Sequence, residues 1–327
     1  MKIIIDAMGG DNAPVEIVKG AALASLEYDC DIVLVGDESV ISSILDKCEC
    51  KRERITTKAA DSVVTMEDEP TSVVRAKRDS SMAVGMKMLK EDGDAFVSAG
   101  NTGALHVAGS LLVRPVNGIK RAAIATVLPF NPPVLLMDSG ANVTIEPEYL
   151  PTWGLVGSIY MKNVMGVENP RVGLLNNGTE EHKGTDVEVA AFHLLSEDKN
   201  INFVGNIEGK AAMASTCDVL LTDGFTGNVF LKTVEGISKY MLKMLKGVFT
   251  SSAKTKIGYL LVKDQLGGMK KSFDASEYGG APLLGLQKPV IKAHGSSDAL
   301  AIKNAVRQAI KFAETGVIKQ VEEALGE

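Results

Sequence analysis

Short apolar segments alternate with helical patterns along almost the whole sequence, and this alternation limits the fold more than any other feature. The apolar runs that predict buried strands lie at 3–5, 31–36, 61–65, 94–98, 122–127, 134–137, 171–175, 201–204 and 219–221. Helical periodicity occurs between them at 38–47, 71–90 with a break near 79–80, 105–113, 148–162, 187–195 and 209–214. Strands that alternate with helices favour a three-layer α/β fold, in which helices cover both faces of a mainly parallel sheet.

The first predicted strand runs directly into a glycine turn. Gly9 and Gly10 allow a tight turn or the close approach of a ligand, because they carry no Cβ. Asn12 is expected to cap the next helix, and Pro14 to occupy its first turn. Free N–H groups at a helix N-terminus attract anions. Because the segment matches neither nucleotide-binding glycine pattern, an anion site and a turn that only packs both remain open.

Four further junctions repeat this combination of a buried run, a polar glycine-containing turn and a helix. They lie at 98–103, 176–185, 223–228 and 294–298. In open parallel sheets, ligands bind beyond the carboxyl ends of the strands. The recurrence therefore predicts one shared polar cleft.

Composition argues against several classes of function. A net charge of −6 argues against nucleic acid as a partner, since phosphate backbones require a basic protein surface. No apolar run of about 18 residues predicts a transmembrane helix, and the run after Met1 is too short for a signal peptide. The four cysteines and four histidines are not spaced as metal ligands, so no metal site is expected and the thiols indicate a reducing cytoplasm. A length of 327 residues suggests two lobes.

The last third of the chain has a different pattern. A long helix with a broad apolar face is predicted over 228–249. It is followed by 253–263, which is basic at both ends and apolar in the middle. Such a segment suits a membrane interface, where lysines meet anionic headgroups. It suits equally a helix that packs between subunits or lobes.

A set of motifs occurs in a fixed order along the sequence and together resembles the bacterial phosphate acyltransferase family (PlsX). The motifs lie at 6–14, 70–82, 98–104, 138–142, 176–184, 223–228, 278–285 and 294–297. One glycine-rich motif would be weak evidence, whereas a collinear set that runs from end to end of the chain is specific. The resemblance implies transfer of a fatty acyl group from acyl carrier protein to inorganic phosphate, with no cofactor.

The resemblance also implies a place in the cell and a fold. The acyl phosphate product would feed a membrane-bound glycerol-phosphate acyltransferase in phospholipid synthesis. A cytoplasmic homodimer is expected, associated peripherally with the inner face of the cell membrane. The expected membrane contacts are Ile257, Leu260, Leu261 and Val262.

The implied fold is similar to that of isocitrate and isopropylmalate dehydrogenases and of phosphotransacetylase. Residues 1–150 with 290–327 would form the first α/β lobe. Residues 151–289 would form a second lobe, smaller and partly helical, with the long helix and the dimer and membrane contacts.

Attack of phosphate on a thioester needs little acid–base chemistry. Much of the phosphate is already dianionic near neutral pH, and a thiol with a pKa of about 8.5 leaves without a strong acid. The site must therefore hold phosphate, stabilise the oxyanion and align the two reactants. The candidate catalytic residues are Lys183, Asn228 and His294. The candidate phosphate- or substrate-binding residues are Gly9, Gly10, Asp11, Arg75, Asn101, Thr102, Gly103, Asp223, Gly280, Gly295, Ser296 and Ser297.

Several of these candidates have a plain structural alternative. Lys183 and Arg75 are also compatible with surface cations or structural ion pairs, and His294 with a capping or core histidine. The carboxylates of Asp11 and Asp223 would repel phosphate, so they are expected to orient donors or cap helices.

An acyl chain and its carrier need further surfaces. Leu283, Leu284 and Leu286, with Met241 or Met244, are candidates for an acyl groove, although such residues more often pack in the core. Acyl carrier proteins are acidic, so docking needs a basic patch. The candidate patch, which would also suit anionic lipid, consists of Lys254, Lys256, Lys263, Lys270 and Lys271.

Other functions fit the same sequence less closely. A short-chain acyltransferase that uses coenzyme A would need the same phosphate site. A non-catalytic scaffold that binds phosphate or acyl carrier protein also remains open, because a fold does not establish an activity. A decarboxylating dehydrogenase is less compatible, since no clustered arginines and paired aspartates suggest a Mg²⁺ and hydroxy-acid site.

Overall fold

The computed structural model describes residues 1–272 and 279–326, so Tyr278 of one predicted motif lies outside the described residues. The strands are Lys2–Asp6 (β1), Asp31–Gly36 (β2), Ile55–Ala59 (β3), Ala95–Ser98 (β4), Ala123–Leu128 (β5), Val134–Met137 (β6), Arg171–Leu175 (β7), Asn202–Ile207 (β8), Val219–Leu221 (β9), Ala281–Leu284 (β10) and Val290–Lys292 (β11). The helices are Val15–Glu27 (α1), Glu38–Leu45 (α2), Ser81–Glu91 (α3), Thr102–Ala108 (α4), Tyr149–Met165 (α5), Asp186–Glu197 (α6), Gly209–Met213 (α7), Gly224–Thr250 (α8), Ala253–Ser272 (α9), Ala299–Glu314 (α10) and Val317–Leu325 (α11).

These strands form one sheet, in the order β3-β2-β1-β4-β11-β10-β5-β6-β9-β7-β8. The strands β3, β2, β1, β4 and β11 are parallel to one another, and so are β6, β9, β7 and β8. Between the two groups, β10 pairs antiparallel with β11 and β5, and β5 pairs antiparallel with β6. The predicted mainly parallel α/β sheet is confirmed, while the division into two lobes stays a prediction.

The three isoleucines of β1 show that helices cover both faces of the sheet. Ile3 and Ile5 pack in a core cluster that includes residues of α1 and α10, whereas Ile4 packs in a second cluster with residues of α3. Successive strand residues point to opposite faces, so an uninterrupted apolar run requires cover on both. Helices α1 and α10 lie close together at Gly20. A Cβ added at Gly20 would be only 2.5 Å from the Cβ of Ile302.

The strand predicted at 61–65 is wrong, and β3 takes its place in the sheet. The 61–65 segment makes only a bridge between Ser62 and Ser80. Strand β3 lies at one edge of the sheet and exposes most of its side chains, among them Thr56 and Lys58. An edge strand faces water along much of its length, so its sequence lacks the apolar run that marks a buried strand.

Helices α8 and α9 form a pair that we call the helical arm. The buried residues of α8 all lie in its first half, at Gly224, Gly227 and Val234. Beyond them, large apolar side chains are exposed, namely Ile237, Tyr240, Met241, Met244 and Val248 of α8 and Ile257, Tyr259, Leu260, Leu261 and Val262 of α9. Within the described residues, no helix is long and apolar enough to cross a membrane.

Candidate functional site

Three polar loops meet at the carboxyl ends of β1, β4 and β11, and we name them loop 7–14, loop 99–101 and loop 293–298. The N–H of Asp11 donates to the carbonyl oxygen of Gly295 at 2.8 Å. A Cβ at Gly9 would lie 2.4 Å from Oδ2 of Asp6 and 3.0 Å from the Cα of Gly100, so the close approach of these loops requires glycine there. Three of the five predicted junctions therefore meet.

Asn12 does not cap α1, contrary to the sequence-based expectation. The helix begins at Val15 after Pro14, and no side chain caps it. The amide of Asn12 instead donates to the carbonyl oxygens of Ser296 at 3.1 Å and Ser297 at 3.3 Å. A pairing between residues so far apart in sequence competes with local capping, and it fastens loop 7–14 to loop 293–298.

Asp6 supports these loops from beneath. Its carboxylate is buried and accepts hydrogen bonds from Oγ of Ser81 at 2.6 Å and Oγ of Ser98 at 2.7 Å. Oγ of Ser98 accepts in turn from the N–H of Gly100 at 3.0 Å. Burial raises the pKa of Asp6, and the hydrogen bonds from the two serines oppose that shift. Asp6 thus orients the start of loop 99–101 and does not face a ligand.

Lys292, the last residue of β11, is a site residue that the sequence reasoning missed. Its Nζ donates to the carbonyl oxygen of Ala99 at 3.4 Å and to that of Ala293. Burial lowers the pKa of Lys292 to about 8, while the carboxylates of Asp11 and Asp6 raise it. The available signal was a lysine inside the apolar run that precedes His294.

His294 presents one ring nitrogen as a donor. Its Nδ1 lies 2.9 Å from Oγ of Ser296 and accepts from the N–H of Ser296 at 3.3 Å. Partial burial lowers the pKa of His294 below 6.5, and the charges of Lys232 and Lys292 lower it further. The lowered pKa favours the neutral ring, and because Nδ1 accepts from the N–H of Ser296, the proton of the neutral ring lies on Nε2. Such an Nε2–H group can donate to an oxyanion.

Charged residues of α8 act on Lys292 and His294. Lys232, one turn beyond Asn228, contributes a charge that lowers the pKa of both Lys292 and His294, so it lies near them. Its Nζ also pairs with Oε2 of Glu235 at 2.9 Å. The charges of Lys232 and Lys292 favour an anion near His294, whereas the carboxylates of Asp6, Asp11 and Glu235 oppose it.

Two glycines allow α8 to begin against the loop that follows β6. A Cβ at Gly227 would lie 1.9 Å from the carbonyl oxygen of Asp138, and one at Gly224 would lie 2.8 Å from the backbone of Asn142. Asp138 is buried and accepts from the N–H groups of residues 140–142. Asp223 caps α8 by accepting from the N–H groups of Phe225 and Thr226. Asp138 and Asp223 thus shape the backbone, which agrees with the expectation for Asp223.

An open cavity of about 410 Å³ adjoins the start of α8. It is lined by Gly140, Val143, Gly224, Phe225, Asn228, Val229, Lys232 and Thr233. The leucines expected to line an acyl groove do not reach it. Leu283 and Leu284 are buried because β10 lies in the middle of the sheet with both faces covered, and Leu286 is buried just beyond the strand.

The predicted residues at the start of α4 have distinct roles. Oδ1 of Asn101 caps α4 by accepting from the N–H of Ala104 at 3.1 Å. The amide of Asn101 donates to the carbonyl oxygens of Thr65, Met66 and Asp68, which fixes that turn beside the helix. Thr102 and Gly103 form the first turn of α4, where N–H groups lack partners within the helix.

Three other predicted binding residues lie in different surroundings. The N–H of Ser297 donates to the carbonyl oxygen of His294 at 3.0 Å, which closes the turn in loop 293–298. Gly280 lies against the backbone of β11, since a Cβ there would be 2.7 Å from the carbonyl oxygen of Lys292. Arg75 is exposed at the end of the short 3-10 turn Pro70–Val74.

Lys183 lies in the loop after β7 and is half-buried. Its carbonyl oxygen accepts from the amide of Asn176 at 3.0 Å, and its N–H donates to the carbonyl oxygen of Glu180. Strands β10, β5, β6 and β9 separate β7 from β11 in the sheet. No hydrogen bond or ion pair of the described residues joins this loop to the three loops above, so the role of Lys183 stays a prediction.

The described residues offer no metal-ligand cluster, and two of their thiols are held protonated by burial. They contain no group of three or more His, Cys, Asp or Glu side chains arranged to hold a metal ion. Burial raises the pKa of Cys30 to about 11 and that of Cys217 to about 12, so both thiols are protonated at neutral pH.

Comparison with known proteins gives close relatives over the full length. The model of the fatty acid synthesis protein family matches residues 1–320. Phosphate acyltransferase from Acetivibrio thermocellus is 45% identical over 324 residues, which cover 98% of this chain and 95% of that protein. Phosphate acyltransferase from Oceanobacillus iheyensis is 46% identical over 332 residues, which cover 100% of this chain and 98% of that protein.

Solved structures share the fold at low sequence identity. A phosphotransacetylase from Streptococcus pyogenes has a TM-score of 0.63 at 18% identity, over 98% of this chain and 94% of that chain. A protein from Salmonella typhimurium described as a 4-hydroxythreonine-4-phosphate dehydrogenase has a TM-score of 0.53 at 14% identity, over 95% and 98% respectively. The expected likeness to phosphotransacetylase and to dehydrogenase-like folds is confirmed, and at these identities it concerns the fold alone.

Proposed function

This chain belongs to the fatty acid synthesis protein family, whose members include phosphate acyltransferases, and we propose that it transfers a fatty acyl group from acyl carrier protein to inorganic phosphate. The observation that carries this proposal is the meeting of loops 7–14, 99–101 and 293–298. Close glycine contacts join the loops, and Lys232, whose charge acts on Lys292, lines the open cavity at the start of α8. Such a site offers an anion a place beside room for an acyl thioester.

The reaction requires one bond exchange. An oxygen of the phosphate dianion attacks the thioester carbonyl carbon, the carbon–sulfur bond breaks, and the thiolate leaves and takes up a proton. The products are an acyl phosphate and the free thiol of the carrier. Because phosphate is already a competent nucleophile near neutral pH, positioning and stabilisation of the oxyanion are the protein's main contributions.

His294 and Asn228 are the proposed oxyanion donors. The pKa of His294 is lowered and its Nδ1 accepts a hydrogen bond, so its Nε2–H group is available as a donor. Asn228 and Gly140 both line the cavity, and the amide group of Asn228 lies close to Gly140. The backbone of loops 99–101 and 293–298 and the first turn of α4 are the proposed phosphate cradle. Lys183 remains a third catalytic candidate.

The acyl donor is proposed to enter through the open cavity. Val143, Phe225 and Val229 give it an apolar wall, and all three side chains are exposed. An acyl chain would cover them and remove apolar surface from water. Lys232 at the same wall would remain close to phosphate.

We also propose a homodimer that associates peripherally with the inner, cytoplasmic face of the cell membrane. The exposed apolar side chains of Ile257, Leu260, Leu261 and Val262 support this, as do the exposed lysines Lys254, Lys256 and Lys263. The side chains of Lys270 and Lys271 lie outside the described residues. There the acyl phosphate would reach a membrane-bound glycerol-phosphate acyltransferase.

Phosphate-dependent release of free thiol from palmitoyl-acyl carrier protein tests the proposal. Wild-type protein should release thiol only with phosphate and should form palmitoyl phosphate, and palmitoyl-coenzyme A should react more slowly. Asn228→Ala should lower kcat/KM roughly a hundredfold, a few kcal/mol of transition-state stabilisation. The control is Lys210→Ala, since that side chain is 80% exposed on α7.

Lys183→Ala, assayed beside these variants, decides whether that residue belongs to the site. A loss like that of Asn228→Ala would place Lys183 there, and wild-type activity would remove it. If neither palmitoyl thioester loses its acyl group in the presence of phosphate, the proposed acyltransferase activity is refuted. The alternative is then a non-catalytic scaffold that binds phosphate or acyl carrier protein.

A further inference from the structure

Lys292 is the only buried residue among the lysines and arginines whose side chains the structure describes, with 9% exposure. It ends β11, and its Cα pairs with that of Ser98 at the end of β4. Its Nζ donates to the carbonyl oxygens of Ala99 and Ala293. The ammonium group therefore joins the first residue of loop 99–101 to the first residue of loop 293–298.

A buried ammonium group is an unfavourable choice for stability alone. Loss of hydration lowers the pKa of Lys292 to about 8, and the nearby carboxylates of Asp11 and Asp6 offset only part of that effect. An apolar side chain would fill the same volume without this loss. The position therefore indicates a role that needs the charge and its hydrogen bonds.

Lys288 provides a comparison within the same pair of strands. It precedes β11, and its Nζ donates to the carbonyl oxygen of Gly93, before β4, at 3.1 Å. Lys288 thus joins the two strands at their amino ends, away from the three loops, and it is only half-buried. Fastening these strands does not require a buried lysine, and burial occurs only at the end that carries the loops.

We propose that Lys292 is a positioning residue for the phosphate nucleophile, an inference that rests on the proposed acyl transfer to phosphate. By holding two carbonyl groups, its ammonium group orients the peptide N–H groups that follow in both loops. Its charge adds to that of Lys232 across the cleft, which favours a dianion over a neutral ligand. Lys292 acts through the loops and the field, without contact with the reacting atoms.

The test compares Lys292→Met with Lys288→Met in the full-length protein, with inorganic phosphate as the probe. In Lys292→Met the KM for phosphate should rise by about tenfold or more, which is about 1.4 kcal/mol. Its kcat at saturating phosphate and its KM for the palmitoyl thioester should change less than about threefold. The phosphate concentration that raises its unfolding temperature by a given amount should increase by about the same factor. Lys288→Met should keep both phosphate responses.

A folded Lys292→Met variant with the wild-type KM for phosphate would overturn the proposal, as would an equal change in Lys288→Met. If Lys292→Met does not fold, hydrogen exchange of the wild-type protein decides. Phosphate should then slow exchange in 99–104 and 293–298 but not in 92–95, and lack of protection in either loop overturns the proposal.

The temperature shift and the exchange measurement need no acyl donor. A wild-type protein that cleaves no palmitoyl thioester would therefore refute the proposed function, while the role of Lys292 in phosphate binding would still be decided by these measurements.

Discussion

At the scale of single residues, Asp6 and Lys292 show how burial is balanced at the ends of neighbouring strands. Asp6 accepts from two serine hydroxyls and from the N–H of Met8. Lys292 donates to two carbonyl oxygens and has Asp6 and Asp11 nearby. Each is held by several hydrogen bonds, because a buried charge is tolerated only when its partners replace water.

Stability should depend on pH through Lys292. Its folded-state pKa of about 8 lies below the ordinary 10.5, so between these values the unfolded chain binds the proton more tightly. The free energy of unfolding of wild type, relative to Lys292→Met, should therefore rise with pH above 8, by about 1 kcal/mol or more between pH 7.5 and 9.5. Urea unfolding at both pH values measures it.

The comparison isolates this one group. The charged or titratable groups that face Lys292 are Asp6, Asp11, Lys232 and His294, and wild type shares them with the variant. A difference between the two proteins that stays constant with pH would mean that Lys292 is not held as a buried ammonium group.

At the scale of single elements, two glycines of α8 have opposite effects on stability. Gly227 lies where the helix touches the loop after β6, and a Cβ there would be 1.9 Å from the carbonyl oxygen of Asp138. Gly236, just over two turns later, is exposed and has no atom within 4 Å of an added Cβ. The first glycine is required for contact, whereas the second only lowers helix propensity.

Alanine at these two glycines should therefore change stability in opposite directions. Gly227→Ala should lower the free energy of unfolding by about 2–4 kcal/mol, since backbone must move to accept the methyl group. Gly236→Ala should raise it by about 0.5–1 kcal/mol. Urea unfolding of both variants checks the pair, and a well-folded Gly227→Ala variant with wild-type stability would contradict the close contact.

At the scale of the whole molecule, the helical arm sets apolar surface apart from the sheet. Leu260 and Leu261 are 70% and 79% exposed, which is more than most other exposed large apolar side chains of the described residues. Exposed apolar patches beside lysines favour a second copy of the chain or an anionic lipid surface.

Vesicle binding should depend on these leucines. Wild-type protein should sediment with phosphatidylglycerol vesicles at low salt, and added salt should release part of it, because the lysine contribution is screened. The double variant Leu260→Glu/Leu261→Glu should lower the bound fraction at least about fivefold, since each buried leucine contributes about 1.5–3 kcal/mol.

Leu111→Glu is the matched control, since Leu111 is 60% exposed but lies outside the arm. Equal binding by the double variant and wild type, or no binding by wild type, would remove the membrane from the proposal.

Much of the site was predictable because its signals are local. Neighbouring residues alone were enough to predict several short patterns. These are the isoleucines of β1, the glycines after it and the polar turns before α8 and α10. The rule that ligands bind beyond strand ends then predicted a cleft, and the loops after β1, β4 and β11 do meet. The edge strand β3 was not predicted, because part of it faces water and its sequence therefore lacks a continuous apolar run.

Other features arose from pairings that no local pattern contains. Asn12 reads as a helix cap, yet its amide bonds to residues 284 and 285 positions away. Lys292 becomes buried only because β11 lies between β4 and β10. Leu283 and Leu284 similarly became core residues when β10 took a central place in the sheet. Local backbone preference decides where strands, turns and helices begin, whereas burial and long-range hydrogen bonds depend on which distant segments the folded sheet places side by side.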